Sequence, residues 1–234
     1  MDIQGSVTVV TGASSGLGLA LSEILGQRGA TIVMSGRSEP SLQKHAVRLG
    51  ALAIAADVTD ETAVADLGSA TVRRYGRIDA WINNAGVWMP YTPFQDVPDE
   101  RARHIMETNY LGVWHGSQVA YRQMLKQGHG TILNILSIRV REPVAYTVAY
   151  SSSKLAAYGL TQVLRAEAAP HNIRVLAALP GRIQTHLFDE RIPQDYANFM
   201  DPRAVASAIA SWMSQSAPDP ELVITQDTLG GESE

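Results

Sequence analysis

Short apolar runs alternate with longer amphipathic segments along this chain. The runs at 7–10, 31–35, 51–56, 78–83, 131–136, 173–179 and 222–225 are almost continuously apolar and partly β-branched. Such runs suit strands covered on both faces, as in a parallel sheet. The segments 17–28, 41–49, 61–75, 99–127, 148–169 and 202–214 read as helices, and 99–127 is long enough for two. Strand and helix in alternation predict an α/β class: a doubly wound parallel sheet of about seven strands in a three-layer α/β/α arrangement. Right-handed crossovers then place helices on both faces. No linker, repeat or low-complexity tract breaks the pattern, so residues 1–234 read as one domain, with 230–234 as a mobile tail. Pro218-Asp219-Pro220 marks a turn before the last strand.

Composition narrows the picture without naming an activity. The 234 residues are 45% hydrophobic and 18% charged, which fits a folded chain with a sizeable core. Acidic residues outnumber basic ones, 23 to 19, for a net charge of −4, which opposes nucleic-acid binding. There is no cysteine, so disulfides, thiolate metal sites and cysteine nucleophiles are excluded. His45, His104, His115, His129 and His171 are scattered, and no metal site is expected. Met1-Asp2-Ile3-Gln4-Gly5 lacks a basic start, and no run of about 18 apolar residues follows. A cytoplasmic protein without a membrane partner is expected.

After the first strand comes Thr11-Gly12-Ala13-Ser14-Ser15-Gly16-Leu17-Gly18. Glycines at a strand-to-helix turn let the backbone approach a pyrophosphate, and the helix N-terminus offers free N–H groups and a positive dipole end. A tight turn with no ligand is the plain alternative. The same residues also fit the G-x-S-x-G nucleophile elbow of hydrolases, with Ser14 as nucleophile and His171 or His186 as the late histidine. An elbow usually follows an earlier oxyanion-hole strand, and only one strand precedes this turn. The second strand runs into Gly36-Arg37-Ser38, where an NAD enzyme usually carries an acid for the ribose 2′-hydroxyl. Arg37 suits a 2′-phosphate instead, with Ser14 and Ser38 as further donors. NADP(H) is therefore the favoured cofactor, and NAD(H) the alternative.

Tyr150 and Lys154 stand four residues apart at the start of a predicted helix, on one face. A tyrosine of pKa about 10 needs help to exchange protons at neutral pH, and a neighbouring ammonium lowers its pKa. Such a pair can give or take a proton at a carbonyl or alcohol oxygen. Ser137 ends one strand and Asn83-Asn84-Ala85-Gly86 ends another, at the sheet edge where ligands of open parallel sheets bind.

Taken together, these pieces resemble the short-chain dehydrogenase/reductase family. The resemblance rests on Thr11 through Gly18, Asp57-Val58, Asn83 through Gly86, Asn109, Ser137, Tyr150-Ser-Ser-Ser-Lys154 and Pro180-Gly181-Arg182-Ile183-Gln184-Thr185, and spans nearly the whole chain. It implies a Rossmann-like fold and an oxidoreductase moving a hydride between nicotinamide and a carbonyl/alcohol pair. It makes Tyr150 the general acid of reduction, and gives Lys154 the tasks of lowering its pKa and bonding the nicotinamide ribose. Ser137 would polarise the carbonyl. Asn109 would interrupt a helix and hold a water linking Lys154 to solvent. Asp57 and Val58 would bracket the adenine. Asn84, Ala85 and Gly86 would line the nicotinamide side, with Pro180 and Gly181 on the neighbouring turn. Ile183 and Thr185 would meet the carboxamide.

Some residues depart from the family pattern or lie outside it. Ser137 is followed by Ile138-Arg139-Val140-Arg141-Glu142, where small residues are common. The arginines read first as solvated loop charges, and alternatively as selectors of an anionic substrate. Trp88, Met89, Tyr91, Phe94, Tyr146, His186, Leu187 and Phe188 are candidates for the substrate pocket by position. Only residues 186–201 separate Thr185 from Pro202, so a short lid is expected. Helices holding 109–127 and 150–169, with Ala156, Ala157, Leu160 and Ala166, imply by resemblance a homodimer or homotetramer. The remaining alternatives are an NAD-linked alcohol dehydrogenase and a cofactor-binding protein without turnover.

Overall fold

A computed structural model describes residues 1–230 of the chain. Seven parallel strands form one sheet: β1 Val7–Thr11, β2 Thr31–Gly36, β3 Leu52–Ala55, β4 Ala80–Asn83, β5 Gly130–Ile135, β6 Ile173–Pro180 and β7 Glu221–Ile224. Their order is β3-β2-β1-β4-β5-β6-β7. The chain thus winds outward from β1 in one direction, then crosses to β4 and winds out in the other. Between β1 and β4 lies the switch point, and an open sheet offers a crevice there, outside the carboxyl ends of the strands.

Eight helices cover the sheet: α1 Gly16–Gln27, α2 Glu39–Leu49, α3 Glu61–Tyr75, α4 Asp99–Met106, α5 Gly112–Gln127, α6 Val148–Ala168, α7 Pro202–Met213 and α8 Gln226–Leu229. Alternation along each strand explains the two layers of core. Val10, Met34, Ile82 and Leu133 pack on one face with Leu21, Leu25, Leu42 and Ile209 of α1, α2 and α7. Val9, Val33, Trp81 and Ile132 pack on the other with Val64, Leu67, Ala120 and Met124 of α3 and α5. Side chains of period two feed both faces, which is why the runs read as continuously apolar.

The predicted doubly wound sheet is found, with strand ends shifted by one or two residues. Asp60 caps α3 by accepting from the N–H groups of Thr62 and Ala63, and Gly76, at φ 78°, ends it. The segment predicted at 99–127 holds two helices, α4 and α5, with no loop between them. It continues from α4 to α5 through a π-helical turn, Glu107–Leu111. Helix α8 and the single-turn 3-10 segments, such as Ile138–Val140 and His186–Phe188, were not predicted. Three or four residues are too few to show a period. The predicted tail, apart from Gly230, lies outside the described residues.

A polar network lies within this apolar sheet. Asn83 on β4 donates to Asn134 Oδ1 on β5 (2.8 Å) and to Ser117 Oγ on α5 (3.0 Å). Asn134 donates to Thr161 Oγ1 on α6 (2.8 Å), and Trp81 Nε1 donates to Asn83 Oδ1 (2.8 Å). Buried amides are tolerable where their partners are in place, as here.

Candidate active site

At the switch point the turn after β1 and the turn after β4 are bound to each other. Thr11 Oγ1 accepts from the N–H groups of Asn84 (3.0 Å) and Ala85 (3.1 Å) and donates to Ile82 O (3.3 Å). In return Asn84 Nδ2 donates to Thr11 O (2.9 Å) and Gly12 O (3.3 Å). Such close approach needs glycine. Gly12 has φ +64°, and a Cβ there would stand 2.8 Å from Ala85 Cα. A Cβ on Gly18 would collide with Gly12 O and Asn84 Nδ2. Helix α1 begins above this turn with Ser15 at its N-cap, no side-chain cap and no acid in its first turn. Its orphan N–H groups and dipole end suit an anion.

A cleft of about 540 Å³ runs along the carboxyl edge from this turn. That volume is in the range of small-molecule sites. Gly12, Ser14, Ser15, Gly16 and Leu17 line it, with Arg37, Asp57 and Val58 at one end. Asn84, Ala85, Gly86, Ser137, Tyr150, Lys154, Pro180, Gly181, Ile183 and Thr185 line the rest, together with Trp88, Arg139, His186 and Leu187. The long shape, the glycine cradle and the uncapped helix end fit a dinucleotide.

At the first end Arg37 is exposed and makes no ion pair with the described residues. Asp57 accepts from Thr59 N (2.9 Å) and Thr59 Oγ1 (2.8 Å). Burial works to raise its pKa, but the Thr59 bonds and the charges of Arg37 and His104 outweigh that and hold it below the usual aspartate value.

At the other end Ser137 stands just beyond β5, with its Oγ accepting from Arg139 N (3.2 Å). Its one hydroxyl proton is not used by that bond and can be offered to the Tyr150 oxygen or to a ligand oxygen. Tyr150 is half-buried, and burial raises its pKa above the ordinary tyrosine value. Hydrogen bonding with Ser137 and the charge of Arg139 pull the other way. Lys154 is 4% exposed, donates to Ile135 O at 3.0 Å, and holds Nζ 5.9 Å from the centre of the Tyr150 ring. Burial lowers its own pKa to about 8.

Gly18, Asn109 and Tyr146 are among the predicted residues that do not line the cleft. Gly18 packs beneath it, as above. Asn109 is fully buried in the π-helical turn, accepting from Val87 N (2.8 Å) and donating to Val87 O (2.9 Å) and Ser153 Oγ (3.0 Å). Ser153 in turn donates to Tyr150 O (2.7 Å). The Asn109 side chain therefore braces the helix of Tyr150 against the loop after β4, and makes no direct hydrogen bond to Lys154. Tyr146, at φ 66°, is 60% exposed and touches the loop after β4 through its carbonyl, which accepts from Thr92 N (3.0 Å). The hydrolase reading gains no contact: among the described residues no hydrogen bond joins Ser14 to His186 or His171, and His171 packs against Tyr121.

The lid is an aromatic cluster. Phe188 meets Trp88 (5.0 Å) and Phe199 (5.2 Å), and Tyr196 meets Phe199 (5.3 Å). Thr185 Oγ1 caps the turn at His186–Phe188 by accepting from Leu187 N. Arg101 bonds Glu190 across the mouth, and Arg182 pairs with Asp195. Of the expected pocket residues, Tyr91 and Phe188 line the cleft, while Met89 is buried and Phe94 is 76% exposed. Arg101, His104 and Thr108, from α4 and the π-helical turn, line it unforeseen. They lie on a polar helix face, which reads in sequence as solvated.

Comparison with known proteins agrees with this architecture. Residues 6–195 match the family model described as short chain dehydrogenase. An uncharacterized oxidoreductase of Staphylococcus epidermidis is 33% identical over 206 residues, covering 85% of this chain and 89% of its own. A 3-oxoacyl-[acyl-carrier-protein] reductase of Vibrio cholerae is 31% identical over 240 residues, covering 98% and 96%. The crystal structure of a 3-ketoacyl-(acyl-carrier-protein) reductase from Brucella melitensis, complexed with NADH, superposes with TM-score 0.89 at 26% identity, covering 95% and 97%.

Proposed function

Because the chain belongs to the short-chain dehydrogenase/reductase family, a family of nicotinamide-dependent hydride-transfer oxidoreductases, we propose that it is an NADP(H)-dependent reductase of carbonyl compounds. The observation that carries this reading is the meeting of Ser137, Tyr150 and Lys154 at the far end of a cleft that starts in a glycine cradle. A bound nicotinamide supplies the hydride. The chain's own residues do the rest.

Ser137 donates its free hydroxyl proton to the substrate oxygen and steadies the negative charge that develops there. Tyr150, kept protonated at neutral pH by burial, gives its proton to that oxygen. Lys154, fixed by Ile135 O, presents its remaining donors to the cofactor ribose. Ile183, Pro180 and Gly181 wall the nicotinamide side, and Asp57 and Val58 the adenine side. Arg37, exposed at the end of β2 with no acid beside it in sequence, supports preference for a 2′-phosphate.

Oxidation of NADPH and of NADH against ketones, aldehydes, quinones and β-ketoacyl thioesters tests the reading. We expect kcat/KM at least about tenfold higher with NADPH, one tenfold step being 1.4 kcal/mol of preference. Arg37→Ala should erase that preference. Equal efficiency with both cofactors, or a preference for NADH, overturns the NADP assignment. No turnover with any compound, despite tight NADPH binding, points instead to a cofactor-binding protein.

We also propose a homo-oligomer joined through α5 and α6. Trp114 (42% exposed), Leu155 (45%) and Val163 (68%) support this as outward apolar residues on those helices. A monomer mass by light scattering at micromolar concentration overturns it.

A further inference from the structure

Four arginines line the cleft: Arg37, Arg101, Arg139 and Arg182. Arg101 is paired with Glu190 and Arg182 with Asp195. Arg37 lies at the adenosine end, where the proposed function already gives it a phosphate. Arg139 is left. It makes no ion pair with the described residues, and the one hydrogen bond of its guanidinium goes to a main-chain carbonyl, Glu142 O (3.2 Å). The other loop arginine behaves differently. Arg141 turns out of the cleft to Glu221 (2.6 Å), a carboxylate it shares with Tyr158 and Arg165. Two arginines that look alike in sequence thus separate: one is neutralised, and one keeps its charge facing the cavity.

The place of that charge is specific. Arg139 follows Ser137 by two residues, and its own N–H bonds Ser137 Oγ, so the guanidinium projects from the turn that sets the oxygen-binding hydroxyl. Its charge also acts on the Tyr150 hydroxyl. Trp88 and Phe188, in contact with each other, give the same cleft an apolar wall. A half-buried guanidinium without a carboxylate partner is costly to desolvate further when a neutral ligand covers it, and gains when an anion meets it.

We propose that Arg139 is the specificity-determining residue of this cleft, and that the substrate is an oxo acid with its carboxylate near the carbonyl and an apolar body. This rests on the reductase reading above. The bond changes are those of that reading: the hydride goes to the carbonyl carbon, the Tyr150 proton goes to the oxygen, and the product is a hydroxy acid. The carboxylate is held and does not react.

The test has two independent arms on the full chain. In the first, wild type and Arg139→Gln reduce benzoylformate and its methyl ester, and acetoacetate and its methyl ester, with NADPH. We expect the wild type to prefer the acid of at least one pair by about tenfold or more, chiefly in KM, the size of effect that one charge-assisted pair supplies. Arg139→Gln should cut that acid/ester ratio at least about tenfold, and Arg139→Lys should restore part of it. In the second arm, calorimetry follows phenylacetate, which cannot be reduced, and its methyl ester, with NADPH titration as a check that the variant is folded. Phenylacetate should bind the wild type, and bind Arg139→Gln about tenfold more weakly, while the ester does not discriminate. No acid preference, or equal loss on acid and ester, overturns the proposal while leaving the reductase reading intact. Arg139-dependent phenylacetate binding without reduction of any compound keeps the anion site and overturns the reductase reading. Phenylacetate binding that ignores Arg139 overturns the anion site.

Discussion

At the floor of the cleft, Thr11 and Asn84 bond each other's main chains, Lys154 is buried against Ile135 O, and Asn109 is buried against Val87 and Ser153. Across the mouth, Arg101 (37% exposed) meets Glu190 (53%), and within the lid His186 (73%) meets Asp189 (67%). Floor contacts are desolvated and join backbone to side chain, so the loss of one partner leaves a buried group unsatisfied. Lid contacts are solvated polar pairs over an aromatic cluster, and water replaces either partner. Precision resides in the floor, and adaptability in the lid.

Substitutions can break or sharpen that contrast. The largest effect belongs to Tyr150→Phe, which removes the proton donor and should lower kcat by about 10²- to 10⁴-fold while NADPH titration stays near normal. Near-normal turnover would remove Tyr150 from the chemistry.

Lys154→Met should also abolish useful turnover, yet raise stability. The charged form of Lys154 is disfavoured in the folded state: its pKa falls from 10.5 to about 8. Below about pH 8 both folded and unfolded chains hold the proton, and the full penalty, on the order of 3 kcal/mol, applies. As pH rises from about 8 to 10.5 the folded chain has shed a proton that the unfolded chain still holds, so the penalty fades. Lys154→Met leaves Ile135 O without its donor, at about 1–3 kcal/mol, which reduces the net gain at neutral pH to about 0–2 kcal/mol. Denaturant melts at pH 7 and pH 10 should show the advantage shrinking with pH. A variant less stable at both would refute the buried-charge account.

Asn84→Ala leaves the carbonyls of Thr11 and Gly12 without their side-chain donor and should cost about 1–3 kcal/mol, with weaker NADPH binding. At the lid, Glu190→Gln should change stability by less than about 1 kcal/mol and KM only a few-fold. If the lid variant proves the more damaging of the two, the contrast between floor and lid is wrong.

Much of the floor was legible in the sequence because its chemistry is tied to spacing. Glycines between strand and helix, Tyr150 four residues before Lys154, and Ser137 at a strand end place themselves once the alternation of elements is read. The failures have physical causes. Asn109 interrupts its helix as expected, but a sequence does not show that Val87 takes both ends of its side chain. Tyr146 seemed to face the pocket, yet its backbone at φ 66° carries the side chain elsewhere. Arg139 and Arg141 were indistinguishable until Glu221, distant in the chain, claimed one of them. Partners that are far apart in sequence decide such cases, and periodicity carries no trace of them.

The bonded pair Asn83 and Asn134 has a further consequence. An apolar strand knows which of its faces must be buried, but not how far along its neighbour it should sit. A slide of two residues returns every side chain to the same face, so the hydrophobic pattern is indifferent to it. Asn83 is matched with Asn134 in the parallel register of β4 and β5. After such a slide both amides would be buried without each other, at about 1–3 kcal/mol each. The pair therefore acts as a ruler, setting the strand that ends at Ser137 level with the strand that ends at Asn84.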